Sequence, residues 1–396
     1  MSNILDTIKK HAAQYYQEVV EMRRYLHAHP ELSMQEKETA AFIKLKLKEY
    51  NISFNDFLSH YGIVADIKGI NPKKKVVALR ADMDALSIKE LNESSYKSKN
   101  EGIMHACGHD VHTASLLGTA KILNNIKDQF EGTIRLIFQP SEEMYPGGAS
   151  MLIADGVLQN PDVDVIFGQH VMPTIDSGKV GVKSGKAMAS TDEIFITVKG
   201  KGGHAATPEL NIDPVVIASN IIVALQQIIS RKASPEMPTV LSFGRFIADG
   251  KTNIIPDEVN IEGTLRTFNE EWRSKVQELV RQICTSTAHA MGAEAFVRIE
   301  RGYPFLVNDP TLTQRFKDSA IQYLGKDNVL DIDLRMTAED FAFYSQKVPA
   351  CFYRLGIRNI EKGITSNIHT ATFDVDEKSL ETAMGLMCWL AVKELD

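Results

Sequence analysis

Cysteine is scarce in this sequence: Cys107, Cys284, Cys351 and Cys388 are the only four thiols in 396 residues. They lack the short regular spacing of a disulfide framework or of a paired structural zinc site, so reduced thiols are expected. Three of them lie in apolar stretches and suit small core residues, whereas Cys107 lies between two histidines. No run approaches the roughly 18 apolar residues that span a bilayer. The first ten residues lack the basic start and apolar centre of an export signal, which makes the cytoplasm the expected address and gives no membrane partner. A basic excess is also missing: the formal net charge of −7 argues against a nucleic-acid partner. Neither an internal repeat nor a low-complexity tract is found. What remains is ordinary globular composition, 44% hydrophobic and 24% charged, in a chain long enough for two cores.

The pattern along the chain begins as alternating helices and strands. Apolar residues recur at helical spacing over 4–27, ending before His29-Pro30, and again from Glu36 to Tyr50. Ile63–Ile67 and Val76–Arg80 read as strands, followed by a helix from His109 to about Ile126 and strands at Thr133–Phe138 and Val163–Gly168. This order predicts an α/β domain with a mostly parallel central sheet, whose ligands gather beyond the carboxyl ends of the strands. From about Ala189 the order becomes βαββαβ, the pattern of a ferredoxin-like α+β unit inserted in the larger domain. The expected boundaries are 1–186 and 302–396 for the first domain and 187–301 for the insertion.

Chemistry-bearing residues follow the strand ends. In Met104-His105-Ala106-Cys107-Gly108-His109-Asp110 a thiolate and an imidazole two residues apart can reach one metal; a core cysteine beside capping histidines is the plainer alternative. Gln139-Pro140-Ser141-Glu142-Glu143 ends an apolar strand with adjacent carboxylates, so one can bind metal while the other faces substrate. His170 follows Gly168-Gln169, and His369 lies in Asn367-Ile368-His369-Thr370. Each alone is weak, but Cys107, His109, Glu143, His170 and His369 together make a ligand set for two metals. In Arg80-Ala81-Asp82-Met83-Asp84, either Asp82 or Asp84 suits the outer carboxylate that orients a ligand imidazole.

With Arg24-Tyr25-Leu26-His27-Ala28-His29-Pro30-Glu31-Leu32-Ser33 added to these segments, the chain resembles the metallo-aminoacylase and carboxypeptidase family over nearly its whole length. Within that family it resembles the branch of amino-acid-conjugate hydrolases. The resemblance implies two divalent metal ions per subunit on the five residues above, with Glu142 as the general base. It implies an inserted lid and dimerisation domain in which His204, from Gly202-Gly203-His204-Ala205, reaches the partner's active site to help stabilise an oxyanion. It also places Asn253 and Arg266 against substrate, the guanidinium suiting a free carboxylate. Arg80 stands where the carboxypeptidase branch has a ligand histidine, which excludes that branch's ligand set. Glu339-Asp340-Phe341 recurs in this branch in a supporting role.

The expected activity is hydrolysis of the amide bond of an N-acyl-amino acid by a metal-activated water. The expected partners are the small-molecule substrate and a second copy of the chain, as homodimer or homotetramer. A di- or oligopeptidase of the same family is the nearest alternative. A conjugate-binding protein without activity and a closed structural metal site are more distant ones. Zinc, manganese, cobalt and nickel all suit nitrogen, oxygen and sulfur donors.

Overall fold

The computed structural model describes residues 2–57 and 60–396. The chain divides into two compact units, one of residues 1–187, 307–333 and 340–396, the other of 188–306 and 334–339. Residues 302–306 and 334–339, which the sequence reading leaves with the first part, thus group with the insertion.

The first unit opens with helices α1 (Ser2–Ala28) and α2 (Lys37–Glu49) and strands β1 (Phe54–Asp56), β2 (Ile63–Lys68) and β3 (Val76–Asp82). Helix α3 (His109–Asn125), β4 (Thr133–Gln139), α4 (Gly148–Ala154), β5 (Val165–Asp176) and β6 (Val180–Val182) follow. The insertion contributes β7 (Asp192–Lys199), β8 (Gly203–His204), α5 (Pro214–Gln227), β9 (Thr239–Ile247), β10 (Ile254–Ile255), β11 (Glu258–Thr267), α6 (Glu270–Ala290) and β12 (Glu294–Arg301). The chain then completes the first unit with α7 (Pro310–Leu324), β13 (Val329–Asp331), β14 (Ala350–Arg358) and α8 (Ser379–Leu395).

Eight strands form the first unit's sheet in the order β1-β2-β4-β3-β5-β14-β6-β13. Its centre is parallel, β4 with β3, β3 with β5 and β5 with β14, while β1, β2 and β6 run antiparallel to a neighbour. Parallel strands need both faces covered, and β3 and β4 are buried at every residue. Helix α3 is buried along most of its length, packing with Val19 and Val20 of α1 and Met384 and Met387 of α8 in one apolar core. Register sets Asp82 opposite Gln139 and Arg80 opposite Gly168, so the carboxyl ends of β3, β4 and β5 lie side by side.

Strand β5 is longer than its sequence suggested. Gly168 looked like its end, but pairing with β14 continues past it, with His170 beside Arg354 and Asp176 beside Arg358. His170 therefore sits inside a strand, held by ladder hydrogen bonds, rather than at a strand end. Gly168 is needed for packing: a Cβ there would lie 2.7 Å from the ring of Phe341.

The second unit is a four-stranded antiparallel sheet, β9-β11-β7-β12, with helices α5 and α6 on one face around its own core. The sequence order βαββαβ with spatial order 2-3-1-4 is the ferredoxin-like arrangement. Among the described residues one stretch, Pro214–Lys232, is long and apolar enough to cross a bilayer. Ile217, Ala218, Ile221, Leu225 and Ile228 within it are buried at helical spacing in this core, which is how an amphipathic packing helix reads.

Gly148, the first residue of α4, shows how tightly the β4 end is built. A Cβ there would lie 1.7 Å from the Pro140 carbonyl oxygen, and its backbone N–H donates to Ser141 O at 2.9 Å. Since backbone cannot swing aside, Gly148→Ala is expected to lower stability by about 1–3 kcal/mol. Urea denaturation measures this; an unchanged midpoint and slope would mean that the Pro140 turn accommodates the methyl group.

Candidate metal centre

Four segments of the first unit deliver side chains to one pocket. Gly108 precedes α3 with φ +86°, a left-handed conformation, and a Cβ there would lie 2.5 Å from Val171 Cγ2. The turn throws Cys107 back toward β5 while His109 begins the helix. His170 comes from β5, and Glu142 and Glu143 come from the loop after β4. His369 enters from the segment before α8 with φ +61°, its backbone N–H donating to Ala106 O at 2.7 Å.

Their donor atoms lie within 4.8 Å of one another in three overlapping groups: Cys107, His109 and His170; Cys107, Glu143 and His369; His109, Glu142 and Glu143. Cys107 Sγ is 3.3 Å from both His170 Nε2 and His369 Nε2, and His369 Nε2 is 3.3 Å from Glu143 Oε1. His105, the first histidine of the same motif, is outside these groups. It is buried 6.4 Å from the His27 ring, and burial pushes its pKa down to about 4.

Two of the three candidate ligand imidazoles are fixed from behind. His109 Nδ1 donates to Asp84 Oδ1 at 3.2 Å, and His170 Nδ1 donates to the Val171 carbonyl at 2.7 Å. Both Nε2 atoms are thereby turned into the pocket. Asp84 Oδ2 accepts from Ser33 Oγ at 2.6 Å and from the Glu143 backbone N–H at 3.0 Å, so one carboxylate orients two candidate ligands. Asp82 does a different job. Its Oδ1 is 2.5 Å from His112 Nδ1 and its Oδ2 is 2.7 Å from Arg80, leaving it 3.6 Å from His109 Nε2. Val171 N–H donates to His112 Nε2 at 2.9 Å, which assigns the His112 proton to Nδ1.

The electrostatics favour cations. Burial alone would depress His109, but the charge of Asp82 and the hydrogen bond to Asp84 push it up to about 10. Burial, then the charges of Glu143 and Glu142, push the Cys107 thiol well up, so the thiolate needs a cation beside it. Burial and the nearby Arg354 hold His170 well down, keeping it neutral. Two buried atoms, His109 Nε2 and Glu143 Oε1, make no hydrogen bond. Unpartnered buried polar atoms of this kind are costly, and a thiol, imidazoles and carboxylates converging on them are the donor set of zinc and its neighbours. The residues fit a metal centre.

In the second unit, His204 pairs with Ile254 across β8 and β10, and the Asn253 carbonyl accepts from Ala205 N–H at 3.0 Å, so these two sequence candidates share one corner. Ala206 N–H donates to His204 Nδ1 at 3.0 Å, which leaves the proton of the neutral ring on the exposed Nε2. Arg266 is half-buried on β11 and donates through Nε to Thr264 Oγ1 at 3.2 Å; burial lowers its pKa, and among the described residues no carboxylate pairs with it. Sequence reasoning passed over Ser33, Glu36 and His112. His112 had a signal, three residues after His109 on one helix face. Ser33 and Glu36 had none, since they reach the pocket through partners 51 and 105 positions away in sequence.

An α/β sheet that collects such donors at its carboxyl edge, with a ferredoxin-like insertion, defines a metal-dependent hydrolase. The model of peptidase family M20/M25/M40 matches residues 78–393, and the chain belongs to that family. It is 40% identical over 383 residues to an N-acetylcysteine deacetylase of Bacillus subtilis, covering 96% of this chain and 98% of that one. It is 37% identical over 395 residues to thermostable carboxypeptidase 2 of Saccharolobus solfataricus, covering 99% of each. A crystal structure from Bacillus subtilis, described as a dinuclear metal binding peptidase of the M20 family, superimposes with TM-score 0.83 at 37% identity, covering 97% of this chain and 99% of that one.

Removing the carboxylate behind His109 tests the centre directly. Asp84→Ala is expected to weaken zinc or manganese affinity by about 10–100-fold, measured by competition with a chromophoric chelator. Unchanged affinity would detach Asp84, and the imidazole it orients, from metal binding.

Proposed function

We propose that this protein is a metal-dependent amidohydrolase that cleaves the amide bond of N-acyl-amino acids, with Glu142 as general base. The observation that carries it is the clustering of His109, Glu142 and Glu143 within 4.8 Å beside Cys107, His170 and His369. Five of these residues would hold two divalent cations, and Glu142 remains for proton transfer. Such cations supply charge stabilisation at the scissile carbonyl and raise the acidity of a bound water. Glu142 takes the proton of the attacking water and returns it to the leaving amine nitrogen, one residue serving as base and then acid. Arg266, half-buried and without a carboxylate partner, suits the free carboxylate of the substrate. Asn253 joins it as a substrate contact. Four free cysteines, among them the candidate ligand Cys107, suit the reducing cytoplasm.

His204, with its proton on the exposed Nε2, is suited to donate to the oxyanion of the tetrahedral intermediate. We place it in the partner's site within a homodimer. Support comes from helix α5, whose Val216 and Val223 are 55% and 72% exposed, and from the edge strand β9, whose Phe246 and Ile247 are also exposed. An unpaired edge strand and exposed valines on a neighbouring helix are the kind of surface that a two-fold dimer covers.

A peptidase reading is the second one, favoured by the similarity to the Saccharolobus carboxypeptidase. One panel separates the two: N-acetyl-amino acids, their C-terminal amides and dipeptides of the same C-terminal residue. They are assayed on chelator-treated protein with zinc, manganese, cobalt or nickel restored. Metal-restored cleavage of the acids over their amides and over the dipeptides is expected. Dipeptides as the preferred substrates would establish the peptidase, and no cleavage with any metal would sink both. Glu142→Ala is expected to lower turnover at least about a hundredfold with metal content near normal; retained turnover would remove Glu142 from its role.

Action of His204 in trans has its own signature. Glu142→Ala and His204→Ala, each inactive alone, are expected to regain activity when co-refolded. Random pairing makes half the dimers mixed with one complete site each, so about a quarter of wild-type turnover returns. No recovery, with mixed dimers verified, would place His204 in its own subunit's site or in none.

A further inference from the structure

Asp340 is the most heavily hydrogen-bonded carboxylate near the candidate centre, and the mechanism above gives it no task. Arg80, wholly buried at the end of β3, donates from Nη2 to Asp340 Oδ1 at 2.8 Å, from Nε to Gln139 Oε1 at 2.9 Å and from Nη1 to Asp82 Oδ2 at 2.7 Å. Gln139 Nε2 donates to both Asp340 oxygens at 2.9 and 2.8 Å, and the Ala149 backbone N–H donates to Oδ2 at 3.0 Å. Three groups from β3, β4 and α4 thus hold a side chain that is itself fully buried. A carboxylate gripped on both oxygens cannot rotate, and the backbone that carries it is fixed with it. That backbone reaches the base: Asp340 N–H donates to Glu142 Oε1 at 3.4 Å.

We propose that Asp340 is a positioning residue for Glu142. The Arg80–Asp340–Gln139 lock holds the Asp340 amide where it engages one oxygen of the Glu142 carboxylate, fixing the side-chain rotation and directing the other oxygen to the proton it transfers. The 3.4 Å separation is long for such a bond, and catalytic hydrogen bonds commonly tighten when substrate is bound. The role fits Arg80, since a guanidinium is always protonated and has no lone pair for a metal. It can supply a permanent positive charge to the lock without competing for the cations. The inference rests on the reading of Glu142 as general base.

Asp340→Asn keeps the shape of the side chain and removes the charge that Arg80 and Gln139 grip. Turnover should fall by about 10–100-fold, the size of effect that a misplaced catalytic group produces. KM should stay within about threefold, and metal stoichiometry and melting temperature should remain near the parent's. Should that variant fail to fold, Gln139→Met removes the neighbouring amide at similar volume and is read the same way, with a smaller expected loss. The discriminating measurement repeats the substitution in a Glu142→Asp background, where the shortened side chain retracts from the Asp340 amide. Action through Glu142 predicts that Asp340→Asn then costs less than about twofold. Multiplicative losses in the two backgrounds, or a loss that follows metal content, would overturn the assignment. If Glu142→Ala itself leaves turnover intact, the general-base reading has failed; if it abolishes turnover while Asp340→Asn is silent, only the positioning role has.

Discussion

Burying an ionised carboxylate costs several kcal/mol unless charge and hydrogen bonds replace the water it loses, and this constraint shapes the carboxyl edge of the first unit's sheet. Asp82, Asp84 and Asp340 are all fully or almost fully buried there. Asp84 is held below the usual carboxylate range because, against the opposing effect of burial, it accepts from His109, Ser33 and the Glu143 amide. Asp82 is driven lower still as the charges of His109 and Arg80 and the hydrogen bond from His112 overcome its burial. These bonds tie β3 to α3, to the loop after β4 and to the turn after α1. The positions of the candidate ligands follow from satisfying the carboxylates behind them, so the pocket's geometry is a by-product of its charge balance.

The same logic reaches the loop that carries Glu142 and Glu143. Ser141 has φ +55°, an uncommon conformation for a residue with a side chain. Buried Glu36 accepts from both its N–H, at 2.7 Å, and its hydroxyl, at 3.2 Å, while that hydroxyl accepts from the Met34 amide at 2.8 Å. Burial, then the charge of Asp84, raises Glu36 to about 7. Strain of this kind persists where surroundings over-determine it, and here the surroundings are α2's entry turn and Gly148. A rigid turn delivers two adjacent carboxylates with different partners, Glu143 through its amide to Asp84 and Glu142 through its side chain to the Asp340 amide.

Much of this arrangement was readable in the sequence because metal-binding residue types are few and the strands that present them are apolar enough to stand out. The Cys107–His109 turn, the paired glutamates after β4 and the βαββαβ order of the insertion all carry local signals. Asp84's bond to His109 was half-readable: the carboxylate pair was visible, but only folding shows that Asp84 takes His109 while Asp82 takes His112 and Arg80. Residues with no signal are those brought in by long-range packing. Ser33 and Glu36 sit in the turn between two helices, and the antiparallel outer strands owe their direction to sheet order rather than to anything in their own residues. His170 was placed at a strand end because Gly168 resembles a terminator, whereas its glycine accommodates the Phe341 ring.

Sorting the carboxylates by their partners separates structural from reactive groups. Asp82 and Asp340 share Arg80, Asp84 has three donors, and Glu36 has Ser141. Glu143 is the contrast: Oε1 is buried and makes no hydrogen bond, facing His109 Nε2, equally unpartnered, across 3.9 Å. Two buried atoms without hydrogen bonds would be a defect in a core that elsewhere satisfies its charges. Placed beside Cys107 and His369 they are instead in the expected state of ligands whose partner is a cation. Arg80 is committed to Asp82 and Asp340, and among the described residues no lysine or arginine makes an ion pair with Glu143. Pairing Arg80 with the outer carboxylates leaves the carboxylate among the candidate ligands for an exchangeable cation.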